Sequence, residues 1–113
     1  MPVRVFHADD NDLFRRLVDA VLPDADIAVV GSAATPQEAV VGVAREQPDV
    51  VLLDQIGGAE LVAQVRAAAP AARVIVLSGY QPGDGDRAME ACCDAYVVKA
   101  ADFDELRAVV LGG

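Results

Sequence analysis

Large aromatic residues are scarce in this 113-residue sequence: it has no tryptophan, three phenylalanines and two tyrosines. Its core must therefore be aliphatic, and with 54% hydrophobic residues the chain is too apolar to be disordered. Long hydrophobic runs are also missing. The apolar stretches are about four or five residues long, far short of a membrane span. The N-terminus lacks a basic segment followed by an apolar signal core, so the expected location is cytoplasmic. Positive charge is in short supply. Nine basic residues against eighteen acidic ones leave a net charge of -9, which argues against direct nucleic-acid binding. Cysteine is confined to the adjacent pair Cys92 and Cys93. Neighbouring residues are poorly placed for a disulfide, and no nearby histidine supports a zinc site. Both are read as small, partly buried residues at a helix end. The length suits one domain with one core.

What is present is a regular alternation. Val3 to Ala8, Ile27 to Val30, Val50 to Leu53, Val74 to Leu77 and Tyr96 to Val98 read as strands. Runs such as Val50-Val51-Leu52-Leu53 do not alternate with polar residues, as expected of strands covered on both faces. Between them, helical stripes are read at Leu13, Leu17 and Val21; Ala39, Val40 and Val43; Leu61, Val62 and Val65; Ala88, Met89 and Cys92; and Phe103, Leu106 and Val109. Thr35-Pro36-Gln37-Glu38 has the composition of a capped helix start, and Asp102 with Glu105 repeats it. The first helix is expected to be capped from within Asp10 to Asp12. Pro48 and Pro70 mark the ends of the second and third helices. Five βα units predict an α/β, doubly wound domain with right-handed crossovers.

Ligands in such folds bind beyond the carboxyl ends of the strands. Asp9 and Asp10 follow the first strand, Asp54 the third, Ser78 the fourth and Lys99 the fifth. Lys99 is the only lysine; the other eight basic residues are arginines. The sequence thus places its one compact ammonium with the acids, where a point charge can meet a carboxylate or phosphate. Each residue has a plainer reading. The acids could be helix caps, Ser78 a loop hydroxyl, Tyr96 a core ring with a wet edge, and Lys99 a solvated charge. Their coincidence on four strand ends favours a site. His7, in the first strand, is read as a hydrogen-bonded core residue rather than a pH-sensitive member of that site.

DD after the first strand, VVLLD at the third, VIVLSG at the fourth and YVVK at the fifth resemble the receiver domain of bacterial response regulators. The likeness spans residues 1–113, and ADDNDLFRRLV and IAVVGSAATPQEAV are most similar to receivers of the NarL/FixJ kind. It implies a flavodoxin-like fold with strand order 2-1-3-4-5. It further implies that Asp54 accepts a phosphoryl group from a sensor histidine kinase or phosphotransfer protein. Asp9, Asp10, Asp54 and the Ile56 carbonyl would hold Mg²⁺, Asp9 through a bound water. Lys99 and Ser78 would contact the phosphoryl oxygens, and Tyr96 would be the switch aromatic. Such receivers often precede a DNA-binding output domain, and none is expected within this chain. The face built from the fourth helix, fifth strand and fifth helix would mediate dimerisation or docking, and catalysis would extend only to the domain's own phosphoryl transfer and dephosphorylation.

Several features depart from that pattern. Asp54 is followed by QIGGAEL, about four residues shorter than the usual connection to the third helix. Cys92 stands where relatives carry a glycine, which predicts a strained left-handed residue. The segment GYQPGDGD, residues 79–86, reads as a mobile loop. The shortened connection favours an alternative in which the chain is a pseudo-receiver, an interaction module independent of phosphorylation. A phosphatase of the haloacid dehalogenase kind would need an acid two residues after the nucleophile, where Ile56 stands. A nucleotide-binding loop is not evident.

Overall fold

Strands without alternation need cover on both faces, and the chain supplies it by placing a helix after every strand. The computed structural model describes residues 1–112. These form β1 (Val3–Ala8), α1 (Asp12–Val21), β2 (Ile27–Ala33), α2 (Pro36–Glu46), β3 (Val50–Leu53), α3 (Gly58–Ala68), β4 (Arg73–Ser78), α4 (Arg87–Cys92), β5 (Ala95–Val98) and α5 (Phe103–Val110). All pairings are parallel, in the order β2-β1-β3-β4-β5. This is the doubly wound, flavodoxin-like arrangement expected from the sequence. The expected domain end, Gly113, lies outside the described residues.

Alternation along the strands divides the core between the two faces of the sheet. Val5, Leu52, Ile75, Leu77 and Val97 pack with Val18 and Leu22 from the α1 side and with Leu106 and Val110 of α5. Phe6, Val51, Leu53, Val74 and Val76 face the opposite layer, with Ala39 and Val43 of α2, Leu61, Val62 and Val65 of α3, and Met89 of α4. The packing of α2 over Phe6 depends on glycine. A Cβ at Gly42 would lie 2.4 Å from the Phe6 ring.

The helix starts follow side-chain chemistry. Thr35 accepts the Glu38 amide at 3.2 Å and Asp102 accepts the Glu105 amide at 2.8 Å, both as anticipated. In α1 the cap is Asn11, whose side chain accepts the Phe14 amide at 2.9 Å, rather than an aspartate. The expected stripe on α1 is also corrected. Leu13 and Leu17 are 75% and 45% exposed, while Phe14, Val18 and Leu22 pack inward. Both stripes have helical spacing and apolar residues, so periodicity alone could not choose between them.

Two further expectations change. β2 continues through Gly31 and Ser32 to Ala33, because this edge strand pairs with β1 across a register shift between Val5 and Phe6. Cys92 is not left-handed: α4 ends on it and Cys93 turns into extended backbone. Among the described residues, Gln47 is the only non-glycine with a positive φ. Cys92 and Cys93 are free and half-buried, as their position at a helix end suggested.

The helix C-termini explain much of the arginine usage. Helices leave their last carbonyls without partners, and a forked guanidinium can meet two at once. Arg107 of α5 donates to the Val21 and Leu22 carbonyls at the end of α1. Arg4 donates to the Glu46 and Gln47 carbonyls at the end of α2, at 2.8 and 3.0 Å. Arg66 reaches the Cys92 carbonyl of α4 at 2.7 Å, and Arg73 reaches Val109 and Val110 of α5 at 3.1 and 3.2 Å. For α3 the donor is the Gln47 carboxamide, 2.7 Å from the Ala68 carbonyl.

Candidate functional site

The sheet order reverses direction between β1 and β3, and that is where the acids meet. Ala8 lies opposite Leu53, so the next residues, Asp9 and Asp54, leave the sheet side by side. The Asp9 amide donates to the Ala33 carbonyl at 3.0 Å and the Asp54 amide to Ala8 at 2.9 Å, extending each ladder by one residue. Asp9 is buried and Asp10 exposed, and one carboxylate oxygen from each of Asp9, Asp10 and Asp54 lies within 4.8 Å of the others.

Lys99 closes the group from β5. Its amide donates to the Ser78 carbonyl at 2.6 Å, which fixes where its side chain starts. The ammonium lies 2.6 Å from Asp9 Oδ2 and 3.1 Å from Asp54 Oδ1. It also sits over the Phe14 ring, 4.5 Å from the centroid. The backbone holds Asp9 from the other side: its Oδ1 accepts the Asn11 amide at 2.8 Å, and Arg15 donates to its carbonyl at 2.8 Å.

These contacts set the charges. Burial, then the negative charge of Asp9, raises the Asp54 pKa above the ordinary carboxylate range; the Lys99 contacts oppose this without cancelling it. Burial works against the Lys99 ammonium, but its bonds to Asp9 and Asp54 outweigh that and raise its pKa. Three carboxylates thus face one ammonium, and the candidate ligand atoms gathered here are all carboxylate oxygens. Both features fit a hard divalent cation such as Mg²⁺.

Ser78 is 1% exposed, and its hydroxyl oxygen accepts the Tyr80 amide at 3.0 Å. The Tyr96 hydroxyl donates to the Tyr80 carbonyl at 2.8 Å. One peptide segment thus links these two residues. The loop around it is tied to α4 by two hydrogen bonds. The Gly83 amide donates to Glu90 at 2.8 Å, and Arg87 donates to the Gly83 carbonyl at 3.1 Å.

The connection after Asp54 is short in space as in sequence. The Ile56 amide donates back to the Asp54 carbonyl at 2.8 Å, and α3 starts at Gly58 without a side-chain cap on Gly57. Gly58 takes a φ of 60°, which a side chain would resist. Ile56 packs its side chain against the α2–α3–α4 layer. His7 is buried, with Nε2 at 2.7 Å from Asp19 Oδ1, in agreement with the core reading.

The fold therefore brings Asp9, Asp10, Asp54 and Lys99 into one cluster, with Ser78 beside Lys99 on the neighbouring strand. Tyr96 stands one step away, through Tyr80. Phe14 was missed as a site residue. Its signal was available in the second apolar stripe of α1, which places residue 14 on the inward face one turn from the acids.

The profile of the response regulator receiver domain family matches residues 5–111. Response regulator protein VraR of Staphylococcus saprophyticus is 27% identical over 112 residues, covering 94% of this chain and 54% of that protein. The chain thus spans about half the length of the curated relatives it matches. The signal receiver domain designated NarL from Mycobacterium tuberculosis superposes with a TM-score of 0.85 at 30% identity, covering 98% of this chain and 94% of that one. A response regulator from Burkholderia pseudomallei, solved with a phosphorylated aspartic acid and a calcium ion, superposes with a TM-score of 0.81 at 26% identity, covering 96% of this chain and 66% of that one. With the family profile covering nearly the whole chain and the acids gathered at the β1–β3 switch point, this chain belongs to the response regulator receiver domains of two-component systems.

Proposed function

We propose that this domain is a phosphorylation-controlled switch and that Asp54 accepts the phosphoryl group from a histidine kinase or phosphotransfer protein. The observation that carries the reading is the single ammonium of Lys99, held between Asp9 and Asp54 at the edge of the sheet. In the transfer, an Asp54 oxygen forms the new O–P bond as the N–P bond of the donor phosphohistidine breaks, and that electron pair returns to the imidazole. Lys99, 3.1 Å from Asp54, favours the carboxylate against the burial that opposes it and then meets the incoming phosphoryl oxygens. Ser78 supplies a hydroxyl to another of those oxygens, giving up its contact with the Tyr80 amide as it does so.

Asp10 and Asp54, Asp9 through a water, and the Ile56 carbonyl would hold Mg²⁺, which when bound neutralises charge on the transferring group. Because Tyr80 is bonded to both Ser78 and Tyr96, withdrawal of Ser78 loosens one of two ties on that segment. The effect reaches the α4–β5–α5 face, where a second copy or an output domain would dock. The similarity to NarL-type receivers supports transcription control as the output. Acetyl phosphate with Mg²⁺ should add one phosphoryl mass, and Asp54→Asn should remove it. A phosphorylated Asp54→Asn protein would place the acceptor elsewhere.

One observation favours a second reading, the pseudo-receiver. The turn from Asp54 to Gly58 is tight and α3 starts without a side-chain cap. That narrows the approach to the acceptor. Wild-type protein that gains no mass from acetyl phosphate, yet still binds a partner through its α4–β5–α5 face, would establish this alternative.

A further inference from the structure

Lys99 has two demands on it. Its ammonium lies against Asp9 and Asp54, two of the three acids that would hold a divalent cation. A cation at those oxygens repels the ammonium, yet phosphoryl transfer requires Lys99 to stay within reach of Asp54. A support other than a carboxylate would keep it there. The Phe14 ring is already in place, with Lys99 Nζ 4.5 Å from its centroid.

We infer that Phe14 is a positioning residue for Lys99, an aromatic seat that retains the ammonium beside the acceptor when the acids are occupied by metal. The ring attracts a cation through its quadrupole but carries no net charge. It therefore neither competes with the acids for a metal ion nor adds to their negative charge. Its placement is well determined. The Asn11 side chain holds the Phe14 amide at 2.9 Å, and the ring packs with the α1–α5 core. It lines the small cavities beside Asp9 and Asp54 on one side and beside Lys99 and Phe103 on the other. Lys99 leaves the sheet on the strand next to Ser78 with its side chain 23% exposed, and the ring supports the ammonium without a charge of its own.

The inference rests on the phosphoacceptor reading, and the tests separate the two. A proton held over an aromatic face resonates upfield, so the Lys99 side-chain methylene next to nitrogen should be shifted upfield in wild-type protein. That shift should persist when Mg²⁺ is saturating and disappear in Phe14→Leu. Loss of the upfield shift on adding Mg²⁺ to wild type would overturn the inference, whether or not the protein can be phosphorylated.

The second measurement is beryllofluoride affinity at saturating Mg²⁺. Phe14→Leu should weaken it roughly 3- to 30-fold, the range of one cation–π contact from partly exposed to desolvated. Mg²⁺ affinity should stay within about two-fold, since Phe14 offers no ligand atom. Phe14→Tyr should restore the affinity; Phe14→Met, which fills the space without a ring, should not. Equal beryllofluoride affinity for the Phe, Met and Leu proteins would show that residue 14 is only a core residue. Wild type that binds no beryllofluoride would count against the phosphoacceptor reading instead, leaving the resonance test to decide on Phe14.

Discussion

Asp54 carries a charge that its surroundings oppose. Burial and the neighbouring Asp9 raise its pKa despite the Lys99 contact, so the fold prefers the protonated form. Stability from that preference is complete below the unfolded-state pKa and is lost as pH rises through the elevated folded value. At neutral pH the ionised group therefore costs stability. Asp54→Asn should raise the melting temperature of metal-free protein at pH 7, and the gain should shrink as the pH falls toward the ordinary carboxylate range. Equal melting curves at pH 7 would mean that Lys99 fully compensates the charge. Lys99 itself acts as a resident cation bridging Asp9 and Asp54. Its removal in Lys99→Ala should tighten Mg²⁺ binding several-fold, measured by titration of amide shifts, while phosphorylation by acetyl phosphate falls. Weaker Mg²⁺ binding in that variant would show that Lys99 orders the acids more than it competes for them.

Among the elements, α1 shows how packing selects between equivalent patterns. Leu22 is fully buried beyond its C-terminal turn, whereas Leu13 is 75% exposed. Leu22→Ala should therefore cost about 2–5 kcal/mol in denaturant unfolding and Leu13→Ala within about 0.5 kcal/mol. A reversal would mean that α1 is rotated. The arginines joining one element to the end of another form the second case. Arg107 and Arg73 each donate to two terminal carbonyls of a helix, α1 and α5 respectively. Truncating either to alanine should destabilise by about 1–3 kcal/mol, because partly buried carbonyls lose a charged donor. Lysine should recover only part of it, since it lacks the fork. Full recovery by lysine would reduce the contact to simple charge.

For the whole molecule, the proposed metal and phosphoryl sites would couple local charge to the face around α4. Folded protein that binds Mg²⁺ gains about 2.7 kcal/mol at a hundredfold excess over the dissociation constant, so its melting temperature should rise with the ion. With beryllofluoride added, amide exchange should change across residues 79–110, because Tyr80 joins Ser78 to Tyr96 and Glu90 joins the loop to α4. Complete switching between two states needs about 5.5 kcal/mol of differential binding. One hydroxyl and one ammonium supply less, so partial protection changes are expected. A response limited to the acids would separate metal binding from any switch.

The sequence by itself determined the order and type of the elements. Unalternating apolar runs require a buried parallel sheet, and caps such as Thr35 and Asp102 act over three residues. It also determined which strand ends carry Asp9, Asp10, Asp54, Ser78 and Lys99, since those positions follow directly from strand boundaries. Only the tertiary structure decided what depends on contacts between distant segments. It chose Phe14, Val18 and Leu22 over Leu13 and Leu17 as the inward face of α1, because equal periodicities are separated only by docking on the sheet. It fastened the 79–86 loop through Glu90 and Arg87, which glycine and proline content could not foretell. It also set Phe14 beneath Lys99, a pairing across 85 residues that no local pattern encodes, because strand order and helix docking alone bring those two side chains together.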